Sequence, residues 1–259
     1  MTLPRIVCQF SCGAASAVAT KLALSKYGAT HDVQIVNAYV VEEDTDNRRF
    51  LADCERWFGR TVTVLRDTKY GASTLEVFRK RGYMKGQRGA PCSKHLKRDL
   101  LETFTQPGDV AVFGFDVSEV DRYVDFKAHN PNKACEAPLI ERGLTKQDVK
   151  AMVERAGIKL PLMYRLGYRN ANCKGCVKGG EGYWRAIRED FPVEFEAMAA
   201  VQEGIGPGAN FLRFRSGPRK DERMSLRDLP QGKAARDDEL VACSFFCEAS
   251  EREYASHEA

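Results

Sequence analysis

The stretch Arg5-Ile6-Val7-Cys8-Gln9-Phe10-Ser11-Cys12-Gly13-Ala14-Ala15-Ser16 decides the reading of the fold. Arg5 to Phe10 is apolar with little alternation, the pattern of a strand buried on both faces. Ala14 to Tyr27 follows as a helix with a broad Ala, Val and Leu face, and Gly28 marks its end. Between them lies Ser-x-Gly-x-x-Ser. Such a turn gathers backbone N–H groups and two hydroxyls at a helix N-terminus, where unpaired donors and the helix dipole favour a phosphate. Gly13 lets the backbone approach a ligand, and Ser11 and Ser16 offer donors. An ordinary tight turn with a serine cap accounts for the same residues. The position at the carboxyl end of a first parallel strand favours the anion site.

Outward from this stretch, strand and helix patterns alternate. Val33 to Val41 reads as a strand, Asp46 to Phe58 as an amphipathic helix and Thr61 to Leu65 as a third strand. Thr74 to Arg81 is a short helix, Gly82 to Ala90 a Gly-rich basic loop, and Ser93 to Phe104 another helix. Asp109 to Phe115 is a fourth buried strand and Glu136 to Ile140 a fifth. Thr145 to Ala156 is a helix whose start, Thr145 to Asp148, has the form of a capping box. The alternation predicts an α/β fold built on a parallel sheet. After about residue 160 the character changes to a Gly/Asn/Cys segment, a helix-rich piece over 183–204 and a loop-rich, charged end. The expected organisation is a nucleotide-binding domain over 1–160 and a cysteine-rich portion over 161–259.

Forty basic and 36 acidic side chains leave a net charge of +4, which permits a polyanionic partner without demanding one. No apolar run approaches the ~20 residues that span a bilayer, and the N-terminus lacks a signal layout. The expectation is a cytoplasmic protein with no membrane partner. Nine cysteines are many for a reducing compartment, where disulfides are rare. Some of them are therefore expected to bind metal or do chemistry. Cys8 and Cys54 fit core positions, and Cys135 is a weaker ligand candidate.

The loop Ser11-Cys12-Gly13-Ala14-Ala15-Ser16 resembles the PP-loop of the adenine-nucleotide α-hydrolase superfamily, whose usual form is Ser-Gly-Gly-x-Asp-Ser. Cys12 stands for a Gly and Ala15 for the Asp. That Asp is associated with members that split ATP, and the phosphoadenylyl-sulfate (PAPS) reductase branch commonly lacks it. Pro91 to Lys97 and Gly114 to Arg122 resemble two further segments of PAPS-reductase-like proteins, with Phe115-Asp116 in place of a usual Arg. The resemblance implies a Rossmann-like, doubly wound five-stranded sheet in the order 3-2-1-4-5, with a smaller helical and loop-rich C-terminal portion that binds a cluster. It implies an adenine nucleotide (PAPS, APS or ATP) held by the loop with Lys94, Lys97 and Arg122; for Lys97 a solvated helix face fits equally.

Asn172-Cys173-Lys174-Gly175-Cys176 is the clearest metal signal, two thiols in a Gly-rich turn. A redox pair or half a zinc site has the same pattern, and Lys174 and Lys178 are expected to lower the thiol pKa values. The resemblance implies a [4Fe–4S] cluster on Cys92, Cys173 and Cys176, completed by Cys243 or Cys247 or left with one open iron as in tRNA thiolation enzymes. It also implies a nucleophile near the C-terminus, Cys243 or Cys247. Gly182 to Phe195 is an aromatic and basic helix expected to pack over the cluster. Arg79 to Arg88, with Tyr83, is a basic loop suited to a nucleotide, to RNA or to solvent. The leading expectation is an oxidoreductase acting on an adenylyl-sulfate nucleotide with a thioredoxin-like reductant. The alternatives are an ATP-dependent thiolation enzyme acting on tRNA or DNA and a non-catalytic nucleotide binder.

Overall fold

The computed structural model describes residues 3–86, 89–215 and 217–237. The chain runs β1 (Ile6–Gln9), α1 (Ala14–Tyr27), β2 (Val33–Ala38), α2 (Asp46–Phe58), β3 (Thr63–Leu65), α3 (Thr74–Arg81), α4 (Pro91–Ser93), α5 (Asp99–Phe104) and β4 (Val110–Val112). It continues through α6 (Val120–His129), β5 (Cys135–Glu136), α7 (Pro138–Glu141), α8 (Lys146–Arg155), α9 (Leu162–Arg165), α10 (Glu181–Asp190) and α11 (Pro192–Ile205). Two short strands, β6 (Leu212–Arg213) and β7 (Arg223–Met224), close the described chain. No described helix is long and apolar enough to cross a membrane.

β1 to β5 form one parallel sheet in the order β3-β2-β1-β4-β5. The order reverses between β1 and β4. Right-handed crossovers then put α1 and α2 on one face and α5 and α6 on the other. β1 is pinned at its start, where the Arg5 guanidinium meets Asp109 at 2.7 Å and also donates to Phe104 O. Cys8 and Cys54 are buried in this core, and burial pushes the Cys8 thiol up to about 12.

The fifth strand is shorter than its apolar pattern predicts. It covers Cys135–Glu136, and Pro138 opens α7 where a strand over Glu136 to Ile140 was expected. Proline has no N–H for a ladder but suits the first turn of a helix. The helix expected over Ser93 to Phe104 is interrupted by a π-helical turn at Lys94–Arg98. Helix α6, which the sequence pattern does not announce, starts after Asp116. The Asp116 side chain caps that turn by accepting from Ser118 N–H, and Glu119 completes a capping box. The capping box at Thr145 and Asp148 is formed as read.

The chain divides into two compact units. The first takes the described residues of 1–39, 45–66 and 99–162 and holds the parallel sheet. The second takes 40–44, 67–98 and the described residues from 163 onward. Its core joins Phe78 and Met84 to Met163, Tyr168, Trp184 and Ile187, so distant parts of the sequence share one interior. In it α11 packs on α10 and α3.

Candidate functional site

In the first unit the loop lies at the point where the strand order reverses, the place where open α/β sheets bind ligands. Gly13 caps α1 in an extended conformation, leaving the first-turn amides of α1 without intrahelical acceptors. The Ser11 N–H and hydroxyl both donate to Ser16 Oγ at 3.1 Å, and the Ser16 hydroxyl donates to Gly13 O at 3.0 Å. The two serines thus hold the turn closed. Cys12 has φ +58°, a left-handed conformation that costs a residue with a Cβ about 1–2 kcal/mol. That is the geometry a glycine would take freely, which accounts for the Gly of the resembled motif. The Cys12 thiol is buried and receives Asn37 Nδ2 at 3.6 Å and Arg48 Nη2 at 3.4 Å.

Asn37 and Arg48 were not singled out by the sequence. Asn37, in β2, donates to Phe10 O at 2.8 Å and accepts from Arg48 Nη1 at 3.1 Å, so it aligns the guanidinium against the loop. The Arg48 Cζ lies 5.1 Å from the Tyr39 ring centroid, and Arg66 lies 4.0 Å from the same ring. β1, β2 and β3 therefore carry a loop, an aromatic ring and a second guanidinium at successive carboxyl ends. On the other side, Gly114 makes a close approach. A Cβ there would stand 2.7 Å from Ser16 N and 2.8 Å from the Ser16 Cα, so only glycine lets the segment after β4 lie against the loop. Arg122, expected at the phosphates, is hydrogen-bonded to Glu119 and lies 5.2 Å from the Phe115 ring.

In the second unit, the segment Glu42-Glu43-Asp44 is a strap for the cysteine-bearing elements. The Glu42 carboxylate accepts from Ser73 Oγ at 2.6 Å and Thr74 N–H at 2.8 Å, capping α3, and its carbonyl accepts from Lys174 N–H at 2.9 Å. Glu43 pairs with Lys97 at 3.0 Å, both largely buried. Lys97, expected at the nucleotide, is therefore part of an internal ion pair. Lys174 Nζ meets Glu194 at 2.5 Å and Asp44 at 3.7 Å. Burial pushes the Glu194 carboxyl up, but the Lys174 ammonium outweighs it and holds the group below its ordinary range. Lys174, expected to act on the thiols, has carboxylate partners. Lys94 is exposed on the π-helical turn.

The Cys173–Cys176 turn is built by one tyrosine. The fully buried Tyr183 hydroxyl accepts from Gly175 N–H at 3.1 Å and Cys176 N–H at 3.0 Å, and donates to Cys173 O at 3.0 Å. Burial raises the Tyr183 hydroxyl well above its ordinary value, so it stays protonated and can donate. A Cβ on Gly179 would stand 2.0 Å from the Tyr183 ring. Gly175 has φ +84° and lies under Trp184.

Cys92, from α4, packs against the apolar cluster containing Cys173 and against the one containing Cys176. Cys92 thus touches both clusters, and none of the three thiols of the expected ligand set is in a disulfide. Among the described residues, no three His, Cys, Asp or Glu side chains are gathered about one point that could take a single metal ion. Asn172 Nδ2, beside Cys173, and Trp184 Nε1 are buried N–H donors with no acceptor. Cys243 and Cys247, the candidate nucleophiles and fourth ligand, lie outside the described residues.

Among solved structures, the chain is similar to the U34-tRNA thiolase NcsA from Methanococcus maripaludis with its [4Fe-4S] cluster. The identity is 11% and the TM-score 0.41, over 90% of this chain and 84% of that one. The sequence matches no protein-family model and no curated protein. The five-stranded parallel sheet places the chain in the α/β class with a Rossmann-like strand order.

Proposed function

We propose that the protein is an iron–sulfur-dependent sulfur-transfer enzyme that uses ATP and delivers sulfur to a nucleic acid. The observation that supports this best is that Cys92 packs against both the cluster that holds Cys173 and the one that holds Cys176. Three thiols suit a four-iron cluster with one iron free of protein sulfur. Cys92, Cys173 and Cys176 would hold such a cluster, which when bound supplies an iron site for sulfur. The donor set fits it, because Asn172 offers a buried N–H without an acceptor beside Cys173. Donors of this kind bond to cluster sulfur and tune it.

The chain's own residues do the rest of the binding. The amides of Gly13, Ala14 and Ala15, presented by a turn that Ser11 and Ser16 hold closed, cradle phosphate at the N-terminus of α1. Arg48 adds a positive charge fixed by Asn37. Tyr183 and the Glu42–Asp44 strap keep the cysteine-bearing segments in place.

The test is anaerobic reconstitution with iron and sulfide analysis, followed by turnover of ATP. Brown protein is expected, with AMP and pyrophosphate formed only when tRNA is added. Cys92→Ala, Cys173→Ala and Cys176→Ala should each lower bound iron by at least half. A colourless protein with stoichiometric zinc sinks the reading.

A second reading is favoured by Ala15, which leaves the loop without the acid associated with ATP cleavage. In it the protein is an adenylyl-sulfate reductase, with Cys243 or Cys247 as nucleophile and a thioredoxin-like reductant. Release of sulfite from adenylyl sulfate, with no RNA requirement, would select it.

A further inference from the structure

The second unit carries a basic face that the thiols do not use. Lys69, Lys80 and Arg81 are exposed around the end of α3. The Lys69 and Lys80 ammonium groups each lie 5.5 Å from the Tyr70 ring centroid, and Lys80 Nζ also donates to Lys69 O at 2.9 Å. Gly82, at φ +71°, ends the helix and turns the chain to Tyr83, which is 36% exposed. Of the acids near these cations, Glu76 is taken by Arg79, and the Asp67 carboxylate accepts from Tyr70 N–H at 2.5 Å. Among the described residues, Lys69 and Arg81 make no ion pair. Like charges held this close repel one another, and the repulsion is relieved by an anionic partner.

The position of this face matters as much as its charge. Tyr70 is buried in the same apolar cluster as Cys173, with Cys92 packed against it. Its ring lies 5.3 Å from that of His95. The lysines on Tyr70 therefore stand one side chain away from the thiol region.

We infer that this face binds the phosphodiester backbone of an unpaired RNA segment, with Tyr83 stacking on a base, and so brings the sulfur acceptor to the thiols. The cations supply the sequence-independent attraction, and an exposed ring needs an unstacked base, which folded RNA presents in its loops. The inference deepens the proposed function and rests on it for the role of RNA as acceptor.

The test is fluorescence anisotropy of the full chain with a labelled, unmodified tRNA transcript, without nucleotide, between 50 and 200 mM salt. The Lys69→Gln, Lys80→Gln, Arg81→Gln triple variant should bind at least tenfold more weakly. Its slope of log K against log salt should shrink by about 2, from roughly 0.7 for each cation lost on a single strand. Tyr83→Ala should bind about fivefold or more weakly with the slope kept. Lys69→Arg, Lys80→Arg, Arg81→Lys together should bind as the wild type does. An unchanged slope in the triple Gln variant overturns the inference. So does a DNA duplex of equal length that binds as tightly and suffers the same loss.

Iron content and ATP binding, measured on the same preparations, separate the two claims. Variants that lose RNA while keeping iron and ATP support this face. Wild type that takes neither iron nor ATP, yet binds RNA through these cations, overturns the proposed enzyme and leaves the face standing.

Discussion

The loop of the first unit and the cysteine turn of the second are both glycine-bearing turns, but they are held in different ways. The loop is closed by its own members: Ser11 and Ser16 bond to each other and to Gly13, and Cys12 accepts a left-handed backbone. The cysteine turn is closed from outside, by a tyrosine hydroxyl seven and ten positions further along the chain that satisfies three backbone groups. A turn that carries its own fastenings is visible in a short stretch of sequence. A turn fastened by another element needs that element in place first.

The largest effects come from adding one methyl group to each region. Gly179→Ala drives a Cβ into the buried Tyr183 ring, and Gly114→Ala drives one into the backbone of Ser16. Each should cost about 3 kcal/mol, since neither neighbour has room to yield. Gly114→Ala is expected to lose nucleotide affinity at least tenfold with iron retained, by calorimetry and iron analysis. Gly179→Ala should do the reverse. Loss of both properties in both variants would break the contrast between the regions.

Tyr183→Phe comes next. It leaves two N–H groups and one carbonyl in the interior without their partner, at a cost on the order of 2–3 kcal/mol. Urea denaturation should show it, together with reduced iron retention. A stability unchanged within error would mean that the turn fastens itself as the loop does.

Acid should act on the second unit through Asp190. The Arg236 guanidinium holds that carboxyl below its ordinary value, with Tyr168 also donating to it. The stabilisation is complete above the range where a free Asp titrates and is lost as pH falls through the lowered value, so it fades below about pH 4. Asp190→Asn should flatten the acid limb of a stability-against-pH curve.

The smallest effect is expected from Cys12→Gly. Relief of the left-handed strain, offset by the greater freedom of an unfolded glycine, should change stability by less than about 1 kcal/mol. A loss well above that would show that the bonds from Asn37 and Arg48 to the thiol outweigh the strain.

The β1–loop–α1 unit was legible because a short apolar run, a Ser/Gly turn and a helix rich in Ala, Val and Leu follow one another directly and end at Gly28. The resemblance supplied the strand order. At Glu136 to Ile140 the apolar residues suit a strand, but Pro138 lacks the ladder N–H and opens α7 instead. The Glu42–Asp44 strap was not legible. Nothing local marks three successive acids as internal, and Glu43 and Asp44 are buried where Lys97 and Lys174 come from distant segments to meet them. Arg48 and Asn37 were hidden for the same reason: their contact with Cys12 exists only once β2 lies beside β1. The thiols were found by spacing, whereas the hydroxyl of Tyr183 was read only as part of an aromatic face.

The scattered origin of the second unit has a consequence for synthesis of the chain. Cys92 leaves the ribosome long before Cys173, and Phe78 and Met84 long before Trp184 and Ile187, with which they share an interior. Until the chain has grown past α10, Phe78 and Met84 lack the larger part of the interior they are buried in, and the long closure makes that burial slow. At the proposed cluster site, Cys92 would wait for Cys173 and Cys176 to emerge before it could share a cluster with them. The interval between the two halves of the interior is the period in which a growing chain most needs protection from aggregation.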